Sequence, residues 1–318
     1  MEEELPVYER LNDVRSRAVT MGKIADILQQ RGETDEALRI RMEEQLPVYE
    51  RLNDVRSRAV TMGQIADILQ QRGETDEALR IRMEEQLPVY ERLNDVRSRA
   101  VTMGKIADIL QQRGETDEAL RIRMEEQLPV YERLNDVRSR AVTMGQIADI
   151  LQQRGETDEA LRIRMEEELP VYERLNDVRE RAVTMGKIAD ILQQRGETDE
   201  ALRIYLEEYL PPMQRLGDLD GVAHARFSCA QLRLKRGGWQ QGEHQEIYEE
   251  LAESFALLSR LQRVDGIAAV GELLGRVLAA AGQTAEAIVV FDAAIAAYTR
   301  LGWASKAAGL EEMKRGME

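Results

Sequence analysis

One spacing governs this chain. The ten residues RGETDEALRI stand unchanged at 31–40, 72–81, 113–122, 154–163 and 195–204, always 41 apart. The same interval carries Met1 to Met42, Met83, Met124 and Met165, so residues 1–204 are near-copies of one unit and residues 205–318 are its diverged relatives. A fixed period of this size marks an array of supersecondary units, each burying its apolar face against its neighbours. It also weighs against catalysis, because a reaction needs one special place and identical copies make no place special.

Within residues 13–53, Asp13 is placed to cap a helix, and Val14, Ala18, Met21, Ala25 and Leu28 recur at helical spacing, widened by Ile24. Gly22 inside that helix costs about 1 kcal/mol against alanine, which predicts the close approach of a neighbouring helix. Arg31 and Gly32 end the helix, the cation at its negative end and the glycine in a left-handed turn. Thr34 is the predicted N-cap of a second helix, with Asp35 and Glu36 in its first turn. The apolar stripe of that helix reads Ala37, Leu38, Met42, Gln45/Leu46, Tyr49 and Leu52. Pro47 interrupts it and cannot donate to the Glu43 carbonyl, and since the stripe keeps phase, a kink is expected. All 7 prolines of the chain fall at this place: Pro6, Pro47, Pro88, Pro129, Pro170, Pro211 and Pro212.

Charge and composition then exclude whole classes. A net charge of −15 opposes nucleic-acid binding, which needs a basic footprint. The mixed charges of YERLNDVRSR read as a solvated helix face. Cys229 is the only cysteine, so no intrachain disulfide forms, which suits a reducing, cytoplasmic setting. The start MEEELPVYER is acidic and carries no apolar h-region, so no leader is expected there, and no run nears the roughly 20 apolar residues that cross a bilayer. His224, His244 and Cys229 match no metal spacing, and there is no phosphate-binding glycine loop or nucleophile elbow. No cofactor, metal, membrane or nucleic acid is expected, and neither is an enzyme.

The residues Met21-x₂-Ile24-Ala25-x₂-Leu28 followed by Ala37, and more closely Gly271-x₂-Leu274-Gly275-x₂-Leu278 followed by Ala287-x₃-Phe291, resemble the tetratricopeptide repeat (TPR). The period of 41 against the family's roughly 34 points to the long-period kind, like kinesin light chain and MalT. Arg41 stands where an aromatic is usual. The resemblance implies an all-α, right-handed superhelical solenoid of antiparallel helix pairs. The expected organisation is a second-helix remnant at 1–12, five near-identical pairs at 13–217, two diverged pairs at 218–301 and a capping helix at 302–318, where Trp303, Ala307, Leu310 and Met313 share one face.

The resemblance also implies that first helices line a concave groove, with Val19, Gly22, Lys23, Asp26 and Gln30 facing it. Variation along that face is confined to one strict alternation, Lys23, Gln64, Lys105, Gln146, Lys187, beside the aspartates 26, 67, 108, 149 and 190. It reads first as the scar of an 82-residue duplication. Every phenylalanine and tryptophan lies after residue 205, so recognition is expected in the diversified half. The candidate partner-binding residues are Lys187, Asp190, Gln194, His224, Phe227, Ser228, Gln231, Lys235, Glu272 and Arg276. The expected function is a non-enzymatic scaffold that binds a peptide or partner protein. The alternatives are a spacer or self-assembling rod, with a homo-oligomer forming through the uncapped N-terminal end, and a sensor fragment of a larger signalling protein.

Overall fold

The repeated sequence becomes repeated helix pairs. The computed structural model describes residues 4–317, which form helices joined by tight turns, with no strand among the described residues. Successive helices pack against one another in pairs, giving an all-α fold of tandem helix pairs. The chain divides into two compact units, one ending at Ile150 and the other starting at Leu151.

In the N-terminal unit the first helices of successive pairs are Val14–Gln30, Val55–Gln71 and Val96–Gln112. Their starts are fixed by side chains: Asp13, Asp54 and Asp95 accept the backbone N–H groups of Ser16, Ser57 and Ser98 at 3.0 Å. Asn53, just before such a cap, sits at φ 52°, a left-handed conformation that asparagine tolerates. The helix ends at Gly32, φ 81°, where the Gly32 and Glu33 N–H groups return to the Gln29 and Leu28 carbonyls. Thr34 is not the cap of the next helix. Glu33 holds that position without a side-chain bond, and Thr34 is the first helical residue.

Pro47 acts through its neighbours rather than by a simple kink. Residues Ile40–Gln45 form a π-helical turn, after which Leu46–Arg51 resumes as α-helix with the proline in its first turn. The Leu46 N–H donates to Arg41, five residues back, so the widened turn takes up the ring and the missing donor. The chain supplies its own control. The second helices His244–Arg260 and Thr284–Arg300 contain no proline and are α-helical throughout. Widening also breaks the expected stripe. Ala37, Ile40, Arg41, Gln45, Val48 and Tyr49 are buried, while Met42 and Leu52 stand 51% and 43% exposed.

Gly22 does mark a close approach, made by a side chain: a Cβ there would lie 2.2 Å from the Gln45 amide nitrogen. Cores are shared between neighbours, as expected of an array. Met62, Ile65, Ala66, Leu69, Ala78 and Ile81 of one pair enclose Ile109 of the next.

The C-terminal unit contains the first helices Val178–Arg195, Leu219–Lys235 and Val264–Ala280 and ends in helix Ala304–Arg315. Its pairs bury larger side chains. One core gathers Tyr205, Tyr209, Met213 and Cys229, and another gathers Leu274, Phe291, Tyr298 and Leu310. Phe227, Trp239 and Phe255 pack against the latter partly buried, whereas Trp303 remains half exposed.

Candidate functional site

In the C-terminal unit, Leu219–Lys235, Val264–Ala280 and Thr284–Arg300 bring side chains from three helices to one cleft, and Lys306 reaches it from the last helix. The cleft has a volume of about 300 Å³ and is lined by Phe227, Gln231, Leu273, Glu272, Arg276, Tyr298 and Lys306, with Ala269 at its edge. A contiguous hollow of about 280 Å³ shares Glu272, Arg276 and Lys306 and extends to Gly309 and Leu310. Four of the residues singled out from sequence, Phe227, Gln231, Glu272 and Arg276, therefore meet in one place.

The polar groups there are held in a fixed order. Glu272 accepts the Tyr298 hydroxyl at 2.6 Å and the Arg276 guanidinium at 2.8 Å. Burial raises the Glu272 carboxyl, but the Tyr298 hydroxyl and Arg276 outweigh it and hold the group below its ordinary range. Tyr298 moves the other way, pushed up by burial and by donating to Glu272. Lys306 makes no close ion pair among the described residues, though its charge helps to hold Glu272 down, and it lies over the rings of Tyr298 and Trp303, 5.4 and 5.2 Å from their centres. Two cations and one carboxylate leave the cleft locally positive on a strongly acidic chain. Its walls add the apolar faces of Phe227 and Leu273.

The other sequence candidates fall elsewhere. Asp190 accepts the Tyr205 hydroxyl at 2.5 Å, and the His224 ring nitrogen lies 3.4 Å from the same oxygen. Ser228 is buried beside Tyr205 rather than presented to solvent. Lys235 donates to the Gln193 backbone carbonyl at 2.9 Å, tying two helices together. Lys187 is half-buried on Val178–Arg195, and Gln194 lies exposed near the end of that helix. Sequence reasoning missed Tyr298, Lys306 and Trp303. No local motif joins them to Phe227, more than seventy residues earlier.

The second feature missed is a ladder of buried arginines. Arg41, Arg82 and Arg123 are at most 2% exposed. Their guanidiniums donate to Asp26, Asp67 and Asp108 at 2.5–2.6 Å. Here the Lys/Gln alternation acquires a physical meaning. Gln64 and Gln146, from the following pair, accept from Arg41 and Arg123 at 2.6 Å. Lysine cannot accept, so Lys105 makes no such bond to Arg82 and stands 3.5 Å from Asp67 instead. The visible signal was Arg41 at a position where the pattern wanted an aromatic, and in the last copy Tyr205 supplies one.

Among the described residues no group of three His, Cys, Asp or Glu could hold a metal ion, and no helix is long and apolar enough to cross a membrane. Burial pushes the Cys229 thiol up to about 12.

No protein-family model matches the chain, and no curated protein matches it. Solved structures do. A putative kinesin light chain with nearly identical TPR-like repeats from Podosopora anserina superposes with a TM-score of 0.51 at 19% identity, covering 65% of this chain and 97% of that one. The apo quorum sensor NprR of B. thuringiensis gives 0.59 at 12% identity, covering 98% and 92%. A Rap protein complexed with competence and sporulation factor gives 0.51 at 13% identity, covering 95% and 97%.

Proposed function

We propose that this TPR-like array is a protein-interaction scaffold whose C-terminal unit holds a short segment of a partner protein or a free peptide. The observation that carries this reading is the convergence of Arg276 and Lys306 above the aromatic wall of Phe227 and Tyr298, in a cleft of about 300 Å³. Such a cleft takes one or two side chains, not a folded domain. Its donors are preset: Arg276 is braced by Glu272, and Lys306 is held over two rings, so little ordering is needed on binding. The locally positive cleft favours a segment that offers a carboxylate beside an apolar side chain. The fold shared with a quorum sensor and with a Rap protein captured in complex supports a binding role over a catalytic one.

Selection of peptides from a random display library on the full chain tests this reading. Peptides enriched by the wild type should bind the double variant Arg276→Glu, Lys306→Glu at least 10-fold more weakly, equivalent to about 1.4 kcal/mol. The thermal melt followed by circular dichroism should stay within a few degrees. Undiminished binding by a folded double variant would move the site elsewhere. Lys235→Glu is the wrong probe, because it breaks the helix tie to Gln193.

A further inference from the structure

The C-terminal cleft is double. Glu272, Arg276 and Lys306 line both of its hollows, one of about 300 Å³ and one of about 280 Å³. From these three side chains the larger hollow opens toward helix Leu219–Lys235, where Phe227 and Gln231 wall it. The smaller opens toward the later turns of helix Ala304–Arg315, where its wall is Gly309 and Leu310. The charged groups therefore stand between two spaces of similar size, not at a closed end.

The smaller hollow owes its opening to one residue. Gly309 lies inside a helix, exposed, and a Cβ there would meet nothing within 4 Å. Glycine weakens a helix interior relative to alanine, and no packing demand explains it at this place. Gly275 shows the contrast, since a Cβ there would lie 2.4 Å from the Phe291 ring. Beside Gly309, Leu310 is buried and gives the hollow an apolar floor.

The charges limit what can sit between the hollows. Glu272 is committed twice, accepting the Tyr298 hydroxyl and the Arg276 guanidinium. Arg276 stays half exposed and Lys306 is exposed, so both keep N–H donors for a ligand. Two cations against one carboxylate balance a single added carboxylate. A second one, such as an acidic residue at a chain's C-terminus brings, would face Glu272 uncompensated. A plain terminal carboxylate would satisfy the cations but leave the Gly309 hollow empty, because the chain stops there.

We infer that the partner segment runs through the cleft instead of ending in it. An internal glutamate or aspartate meets Arg276 and Lys306, an apolar side chain before or after it packs on Phe227, and a second apolar side chain fills the hollow over Gly309 and Leu310. This inference rests on the C-terminal cleft being the binding site, and it adds the class of ligand: an internal apolar–acidic–apolar stretch, not a free C-terminus. Gly309 is the specificity-determining residue, because a side chain there would take the place of the ligand's own.

The test selects two random-peptide display libraries on the full chain, one embedded within the display protein and one ending in a free carboxylate. The embedded library should yield the binders that are tighter, by about 10-fold or more, each with one acidic residue between apolar ones. Gly309→Trp should weaken these peptides about 10-fold by filling one hollow, and Ala269→Trp should do so by filling the other. Both positions are exposed, so the thermal melts should stay within a few degrees. Tighter binders from the free-carboxylate library overturn the inference, as do selected peptides without an internal acidic residue. Undiminished binding by folded Gly309→Trp overturns it as well. Peptides that ignore the double variant Arg276→Glu, Lys306→Glu refute the site itself. Peptides that need both cations yet tolerate Gly309→Trp leave the site standing and refute only the through-running segment.

Discussion

A fully buried guanidinium is an expensive residue to repeat. Arg82 donates to Asp67 at 2.6 Å and to Gln86 at 3.2 Å, but its Nε has no partner. Burial depresses its pKa despite the nearby Asp67. The chain shows the cheaper solution at the equivalent position, where the Tyr205 hydroxyl donates to Asp190 at 2.5 Å inside an aromatic core. Replacing a buried ion pair by a packed isostere is often neutral, whereas removing one partner leaves a stranded charge and a cavity. Arg82→Tyr should therefore keep stability within about 1 kcal/mol, while Arg82→Ala should cost about 2–3 kcal/mol, discounted because Asp67 is part-exposed and Lys105 stands near it. Urea midpoints of the two variants decide this. A tyrosine variant as unstable as the alanine one would show that the guanidinium itself is required.

At the scale of the helix, the aspartate caps link local structure to the array. Asp95 caps its own helix through the Ser98 N–H at 3.0 Å and accepts the Arg56 guanidinium of the preceding helix at 2.5 Å. The Ser98 N–H is the main cause that holds its carboxyl below the ordinary value, with the Ser98 hydroxyl and Arg56 adding to it. Asp54 and Asp218 are depressed likewise, each first by the backbone N–H it caps. A folded pKa below the unfolded one adds stability above about pH 4 that is lost as pH falls through the folded value. The urea midpoint should therefore drop between about pH 4 and 2, and Asp95→Asn, which still caps but does not ionise, should lessen that drop. Asp95→Ala should cost about 1 kcal/mol at pH 7. The aspartate caps and glycine turns were legible in sequence because they rest on contacts between near neighbours, such as Asp13 with Ser16 and Gly32 with Gln29, whereas the Thr34 cap was misplaced by one residue because Glu33 takes that position without a side-chain bond. Two things were not legible. The π-turn at Ile40–Gln45 shifts burial from Met42 to Arg41, and an α-helical phase cannot foresee that shift. The C-terminal cleft assembles Phe227 and Lys306 from helices far apart in the chain, so only half of its lining could be named.

At the scale of the array, the first three repeats, residues 13–53, 54–94 and 95–135, are interchangeable except at one position, which makes the coupling between neighbours measurable. Residues 54–94 and 95–135 are identical apart from Gln64 and Lys105. Deleting either segment gives chains of equal length that differ by a single residue. Loss of 95–135 sets Gln146 after Arg82 and keeps the Arg41–Gln64 bond, so both junctions carry an arginine–glutamine contact. Loss of 54–94 sets Lys105 after Arg41, leaving that junction without an acceptor while Arg123–Gln146 persists. A hydrogen bond from a charged donor contributes about 1.5–3 kcal/mol, and an array sums such neighbour terms almost independently. The chain lacking 95–135 should therefore unfold at the higher urea concentration, with a difference of about 1–2 kcal/mol once the Lys105–Asp67 type of pairing is allowed for. Equal midpoints would return the alternation to a mere trace of duplication. A higher midpoint for the chain lacking 54–94 would mean that the lysine bridge, not the glutamine, is the stronger joint.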